Sequence, residues 1–163
     1  MTMIQCKQCI FIKTDRQRCK RRTCVRKDYC WQHLRSVKGV DVRPSTLPGA
    51  GMGLFAFKDF HPGQKDYSGQ IVSARKGKRS QYAVAWTRGK YVDASSSQDP
   101  VGRYANTCRG ADKKAQRCKR NNVKIKRDLR RKTITLKVGK KQKAIKKGGE
   151  IFNTYGSSFR IVR

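Results

Sequence analysis

Residues 145–156 read Ile145-Lys146-Lys147-Gly148-Gly149-Glu150-Ile151-Phe152-Asn153-Thr154-Tyr155-Gly156, a double-glycine turn that runs into an apolar stretch ending on Tyr-Gly. Two further signatures precede it. Gly102-Arg103-Tyr104-Ala105-Asn106-Thr107-Cys108 is a short polar-aromatic segment, and Ser45-Thr46-Leu47-Pro48-Gly49-Ala50-Gly51-Met52-Gly53-Leu54-Phe55-Ala56 is a glycine-rich turn opening into a strand. Such a turn alone carries little information, because glycines at turns are mostly conformational. The three signatures in this order are specific.

Around these segments the texture is β. Residues 40–43, 53–57, 70–74, 82–86 and 90–94 are expected as short strands separated by Gly, Pro, Asn and Asp. Residues 122–127 and 133–138 alternate like a hairpin. The one expected helix covers residues 29–37. At 163 residues the chain is long enough for one compact domain with a small appendage. Composition divides it near residue 38, giving a Cys/His segment at 1–38 and a mostly β domain at 39–163.

Charge supplies the first functional constraint. Lys and Arg number 41 against 10 acids, a net charge of +31, and hydrophobic residues make up 36%. That share lies below the about 45–50% of an ordinary domain. Between Lys113 and Lys147 there are 17 basic residues in 35 positions, with Asp128 the only acid. A field this one-sided implies a polyanionic partner, and DNA or another nucleic acid is expected to bind strongly, without sequence preference and with steep salt dependence. No apolar run approaches the ~20 residues of a membrane span, and the N-terminal residues lack the apolar stretch of a secretory signal. An intracellular protein without a membrane partner is therefore expected.

Five of the seven cysteines lie before residue 38, at Cys6, Cys9, Cys19, Cys24 and Cys30, with His33 three residues after the last. In an intracellular chain such clustering points to metal ligands before disulfides. A Cys-x2-His pair at the start of a helix can aim both side chains at one ion, and two upstream thiolates complete a tetrahedron suited to zinc. Cys9, Cys19, Cys30 and His33 give balanced loops of nine and ten residues. Cys24 and Cys6 remain as alternates. Cys108 and Cys118 are expected to be ordinary thiols.

The order of the three signatures resembles the SET-domain protein lysine methyltransferases, whose pattern runs from a GxG turn through R-F/Y-x-N-H-S to G-E-E-I and Y-G. Asp66-Tyr67-Ser68-Gly69-Gln70-Ile71 is similar to that family's E-Y-x-G-E-I stretch, and Tyr91-Val92-Asp93-Ala94 to its Y-x-[VI]-D-A strand. The likeness spans residues 40–160. It extends to the compact SET proteins of large DNA viruses, some of which also carry a segment ending C-W-x-H, as Cys30-Trp31-Gln32-His33 does here. The resemblance implies a mostly β fold of small curved sheets, a β-clip with a pseudoknot around the active site. It also implies a location in the nucleus or, for a viral chain, in the virion or viral factory.

The activity implied is methyl transfer from S-adenosylmethionine to a lysine of a histone or another DNA-packaging protein. Carried over by position, Gly51, Met52 and Gly53 approach the cofactor, Asn106 hydrogen-bonds it, and Arg103, Tyr104 and Thr107 support that segment. Tyr155 takes the catalytic position. Tyr67, Tyr82 and Phe159 line the substrate channel. Three departures stand out: Asn106-Thr107-Cys108 lacks the family's histidine, a basic insertion fills residues 109–120, and Glu150 follows Gly149 where the family has a second Glu. Glu150, the only glutamate in the chain, reads as structural. A non-catalytic DNA-binding or packaging protein on a SET scaffold is the alternative.

Overall fold

Val40 and Val42 alternate with more exposed neighbours, the period-two pattern of a strand with one buried face, and the strand stops at Pro44. The computed structural model describes residues 6–24, 28–62, 65–66, 70–73, 83–87, 90–93, 101–108, 121–128, 133–139 and 142–154. In chain order the elements are β1 (Lys7–Gln8), β2 (Arg22–Thr23), a one-turn helix α1 (Trp31–His33) continuing as a π-helical turn (Leu34–Lys38), then β3 (Val40–Pro44) and β4 (Met52–Ala56). Next come β5 (Lys65–Asp66), β6 (Gln70–Ser73), β7 (Ala83–Thr87), β8 (Lys90–Asp93), a 3-10 turn (Val101–Tyr104), β9 (Lys124–Asp128) and β10 (Thr133–Lys137). They form four small antiparallel sheets, β1-β2, β3-β4, β6-β8-β7 and β5-β10-β9. The architecture is mostly strand, and the expected strands are present with ends shifted by one or two residues.

The expected helix over 29–37 is shorter and wider. It runs from Trp31 to Lys38, and most of it is a π turn. Gly39 ends it in the left-handed region at φ 68°, with its N–H donating to the Arg35 carbonyl at 3.0 Å. The turn places Leu34, 1% exposed, in the main core beside Val40, Val42, Leu54, Phe60, Val101 and Tyr104.

The β4 strand differs from its neighbours in being buried from Gly53 to Ala56 without alternation. Its second edge is covered by residues 145–154. Ile151 N–H donates to the Leu54 carbonyl at 2.7 Å, Ala56 N–H to Gly149 at 2.9 Å, and Gly148 N–H to Ala56 at 2.7 Å. The same thread pairs Ile145 with Phe60 at its start. At its end, the Phe152 carbonyl accepts from the N–H groups of Asn122 and Val123, each at 3.0 Å. One late segment therefore fastens three earlier ones and satisfies backbone groups that burial would otherwise penalise.

Candidate active site and metal centre

The ligand atoms of Cys9, Cys19, Cys30 and His33 all lie within 4.8 Å of one another. Cys9 follows β1, Cys19 precedes β2, Cys30 caps α1 and His33 ends it. His33 Nδ1 lies 3.3 Å from Cys30 Sγ and 3.5 Å from Cys9 Sγ, and the Cys30 N–H donates to Cys9 Sγ at 3.2 Å. The Phe11 ring stacks on the imidazole with centroids 3.8 Å apart, which fixes its plane. All three cysteines are free and buried. Burial pushes the Cys9 thiol up, whereas the Arg21 N–H beside Cys19 holds that thiol below the ordinary range. Three thiols and an imidazole at this mutual distance are a donor set that could hold a metal ion.

Two cysteine expectations are corrected. Cys6 and Cys24, the alternate ligands, are joined to each other by a disulfide with Cα atoms 4.1 Å apart. The reason is register: β1 and β2 pair Gln8 with Arg22 and Lys7 with Thr23, so the next position puts Cys6 opposite Cys24. Cys108, expected as a free thiol, is disulfide-bonded as well.

The second site forms where the turn before β4, the segment after the 3-10 turn and the 145–154 thread meet. Ser45 N–H donates to the Gly51 carbonyl at 2.8 Å, closing a turn in which Gly49 and Gly51 have φ near 69° and 67°. No described residue lies within 4 Å of a Cβ placed at Gly51, so its glycine answers to backbone conformation. Gly53 has a different reason: a Cβ there would collide with the carboxylate of Glu150.

Glu150, buried at 6% exposure, accepts hydrogen bonds from Ser45 Oγ at 2.6 Å, from Thr46 N–H at 2.7 Å and from Thr46 Oγ1. Asn106 Nδ2 lies 3.4 Å from the same carboxylate and donates to the Met52 carbonyl at 3.1 Å. Met52 itself is 41% exposed. Tyr104 is buried in the core with the Arg103 guanidinium 5.0 Å from its ring, and Thr107 is buried. Asn122 completes the frame, donating to the Glu150 carbonyl and accepting from Phe152 N–H, both at 2.8 Å. Asn153 N–H donates to the Asn106 carbonyl at 2.7 Å, and its own buried Oδ1 has no hydrogen-bond partner among the described residues.

Gly51, Met52, Gly53, Asn106 and Glu150 are thus brought together. Tyr67, Tyr82, Tyr155 and Phe159 lie outside the described residues. Ser45, Thr46 and Asn122 were not singled out by the sequence. The one available signal was Glu150 itself, a lone glutamate in a strongly basic chain, which must find donors wherever it is buried.

No protein-family model matches the chain, and no curated protein does. Solved structures do. A chain of the Chaetomium thermophilum Polycomb Repressive Complex 2 in an apo form with substitutions in Ezh2 is similar at TM-score 0.59 and 26% identity, over 76% of this chain and 16% of that one. A humanized mutant of the same complex, bound to an inhibitor, gives TM-score 0.57 and 26% identity over 75% and 15%. An autoinhibited form bound to S-adenosylmethionine gives TM-score 0.54 and 23% identity over 75% and 16%. The chain spans about one sixth of the length of these relatives. These neighbours carry a SET domain, and this chain has the SET fold of the protein lysine methyltransferases, with a Cys/His cluster near its N-terminus. No helix among the described residues is long and apolar enough to cross a membrane.

Proposed function

We propose that the chain is an S-adenosylmethionine-dependent protein lysine methyltransferase that acts on a histone or another DNA-packaging protein, host or viral, and binds nucleic acid without sequence preference. The observation that carries this reading is the meeting of Met52, Asn153 and the Glu150 carboxylate at Asn106. The site fits the cofactor in two respects. Among the described residues, none fills the space at Gly51 beside the exposed Met52, and the buried Asn153 Oδ1 is an acceptor without a donor.

S-adenosylmethionine, when bound, supplies an already activated methyl group, so the protein contributes alignment and the exclusion of water. Asn106 and the 51–53 turn hold the cofactor, with Arg103, Tyr104 and Thr107 supporting the Asn106 segment. Tyr155 orients the lysine amine, and Tyr67, Tyr82 and Phe159 form the channel that strips water from it. Burial in that channel favours the neutral amine that the reaction needs, against an ordinary lysine pKa of about 10.4. Zinc, held by Cys9, Cys19, Cys30 and His33, is structural in this reading. The lost histidine after Asn106 leaves backbone contacts to the cofactor possible through Thr107 and removes only side-chain packing.

At +31 the chain repels a free basic tail, so the substrate is delivered on DNA. Labelled S-adenosylmethionine is expected to mark a protein in reconstituted nucleosomes far faster than an isolated histone peptide, with the advantage erased by high salt and the label absent with Tyr155→Phe. Equal rates on both substrates overturn the delivery by DNA. Nucleic-acid binding with no labelling and no cofactor binding by calorimetry establishes the non-catalytic alternative, which the departure at Thr107 and the disulfide-bonded Cys108 favour.

A further inference from the structure

Five side chains from four separate segments are linked by alternating contacts of cation and ring. The Arg35 guanidinium carbon lies 5.0 Å from the centroid of the Trp31 ring and 5.0 Å from that of Phe57. Arg21 stands 5.8 Å from Trp31 at one end of the row, and Lys147 Nζ stands 5.2 Å from Phe57 at the other. Trp31 is 54% exposed and Phe57 37%, and neither belongs to a core cluster.

Four of the five members are held by their backbone or by a partner. Trp31 sits between Cys30 and His33, two of the four clustered donors. Arg35 is anchored to Asp41 at 2.6 Å. Phe57 N–H donates to the Gly39 carbonyl, and Lys147 N–H to Asp59 Oδ1, each at 2.8 Å. The Arg35 side chain and the backbone around the row are therefore tied down before any ligand arrives, and Asp41 and Asp59 are the two acids among these contacts.

Exposed rings framed by cations, on a chain of +31, are complementary to a polyanion that also offers flat apolar faces. An acidic peptide would satisfy the cations and leave the rings unused. Duplex DNA would do the same, because its base faces are stacked inside. A strand with unpaired bases uses both, with phosphates on the cations and bases on the rings.

We propose that Arg21, Trp31, Arg35, Phe57 and Lys147 form a binding track for a nucleic-acid strand with unpaired bases. This rests on the nucleic-acid binding proposed above and adds a location and a strand preference to it. The test compares a labelled oligo(dT) with a duplex of the same length, by anisotropy at one salt concentration, on the zinc-loaded full chain. Trp31→Ala and Phe57→Ala are each expected to weaken oligo(dT) binding about tenfold while duplex binding changes less than about twofold. Trp31→Phe, which keeps a ring, retains most of the affinity. Oligo(dT) also quenches wild-type tryptophan emission, and the quench disappears in Trp31→Phe, where Trp86 is the remaining tryptophan. Unchanged oligo(dT) affinity in both alanine variants, or equal losses on the two ligands, overturns the track and leaves general nucleic-acid binding standing. A wild-type chain that binds neither ligand at low salt overturns both.

Discussion

The backbone N–H of Asn153 donates to the carbonyl oxygen of Asn106 at 2.7 Å, joining two stretches that are remote in sequence. The proposed site depends on such a meeting, because its amide lies in the middle of the domain and its phenol near residue 155. Tyr155 follows Asn153 by two residues in the sequence. The Asn106 partner is in turn tied to the 45–53 turn, through its own bond to the Met52 carbonyl and through the Glu150 carboxylate, which Ser45 and Thr46 hold.

Glu150→Gln is the first consequence. The amide keeps the shape but removes the charge and turns one acceptor into a donor facing the Thr46 N–H and the Ser45 and Thr46 hydroxyls. Loss of charge-assisted hydrogen bonds at a buried site predicts a destabilisation of about 3 kcal/mol in chemical denaturation. Gly53→Ala, which pushes a methyl group into the same carboxylate, is expected to cost about 1–3 kcal/mol. Both substitutions also weaken S-adenosylmethionine binding by calorimetry if the turn forms its cradle.

The Cys/His cluster predicts one zinc per chain by elemental analysis of protein purified without chelator. Zinc must displace thiol protons, so its affinity falls as pH falls. Burial keeps the proton on Cys9, which opposes binding, whereas the Arg21 N–H helps Cys19 to give its proton up. A competition assay from about pH 8 down to about pH 6 should show the decline, and Cys19→Ser should abolish tight binding. Cys24→Ser should leave zinc content unchanged, because Cys24 is bonded to Cys6.

Leu34 belongs by sequence to the Cys/His segment and by packing to the main core. Leu34→Ala is therefore expected to lower stability by about 2–5 kcal/mol, as buried leucines do. A chain beginning at residue 39 loses the same side chain and should melt below the full chain in a thermal scan.

The Lys146 ammonium and the Lys147 N–H beside Asp59 hold its carboxyl below the usual carboxylate range. A depressed folded-state pKa stabilises above the ordinary value and stops doing so as pH falls through the depressed one. Asp59→Asn should lower the urea midpoint at neutral pH, with the gap closing in strong acid. Because the pair is largely exposed, the neutral-pH gap should also shrink in high salt.

Much of this architecture is legible in local pattern. Val40 and Val42 announce β3 by alternation, and the β9-β10 hairpin announces itself the same way. Loop balance singles out Cys9, Cys19, Cys30 and His33, the four residues whose ligand atoms converge. What escapes the sequence depends on register or on distant contacts. The strands β1 and β2 are two residues each, made of Lys, Gln, Arg and Thr, so nothing in them signals a pairing that sets Cys6 against Cys24. The π turn after α1 is invisible because its apolar spacing serves an α-helix equally well. Glu150 reads as structural from its isolation, but its partners Ser45 and Thr46 become apparent only when the ends of the domain are folded together.

The second edge of β4 stays open until residues 145–154 arrive. On the ribosome, β3 and β4 emerge long before the thread that covers them, so the nascent chain carries an unprotected apolar strand from residue 56 until residue 145 is made. Production of soluble protein should accordingly hinge on that last stretch: products truncated ahead of residue 145 would aggregate, and their yield would improve with chaperones that shield strand edges.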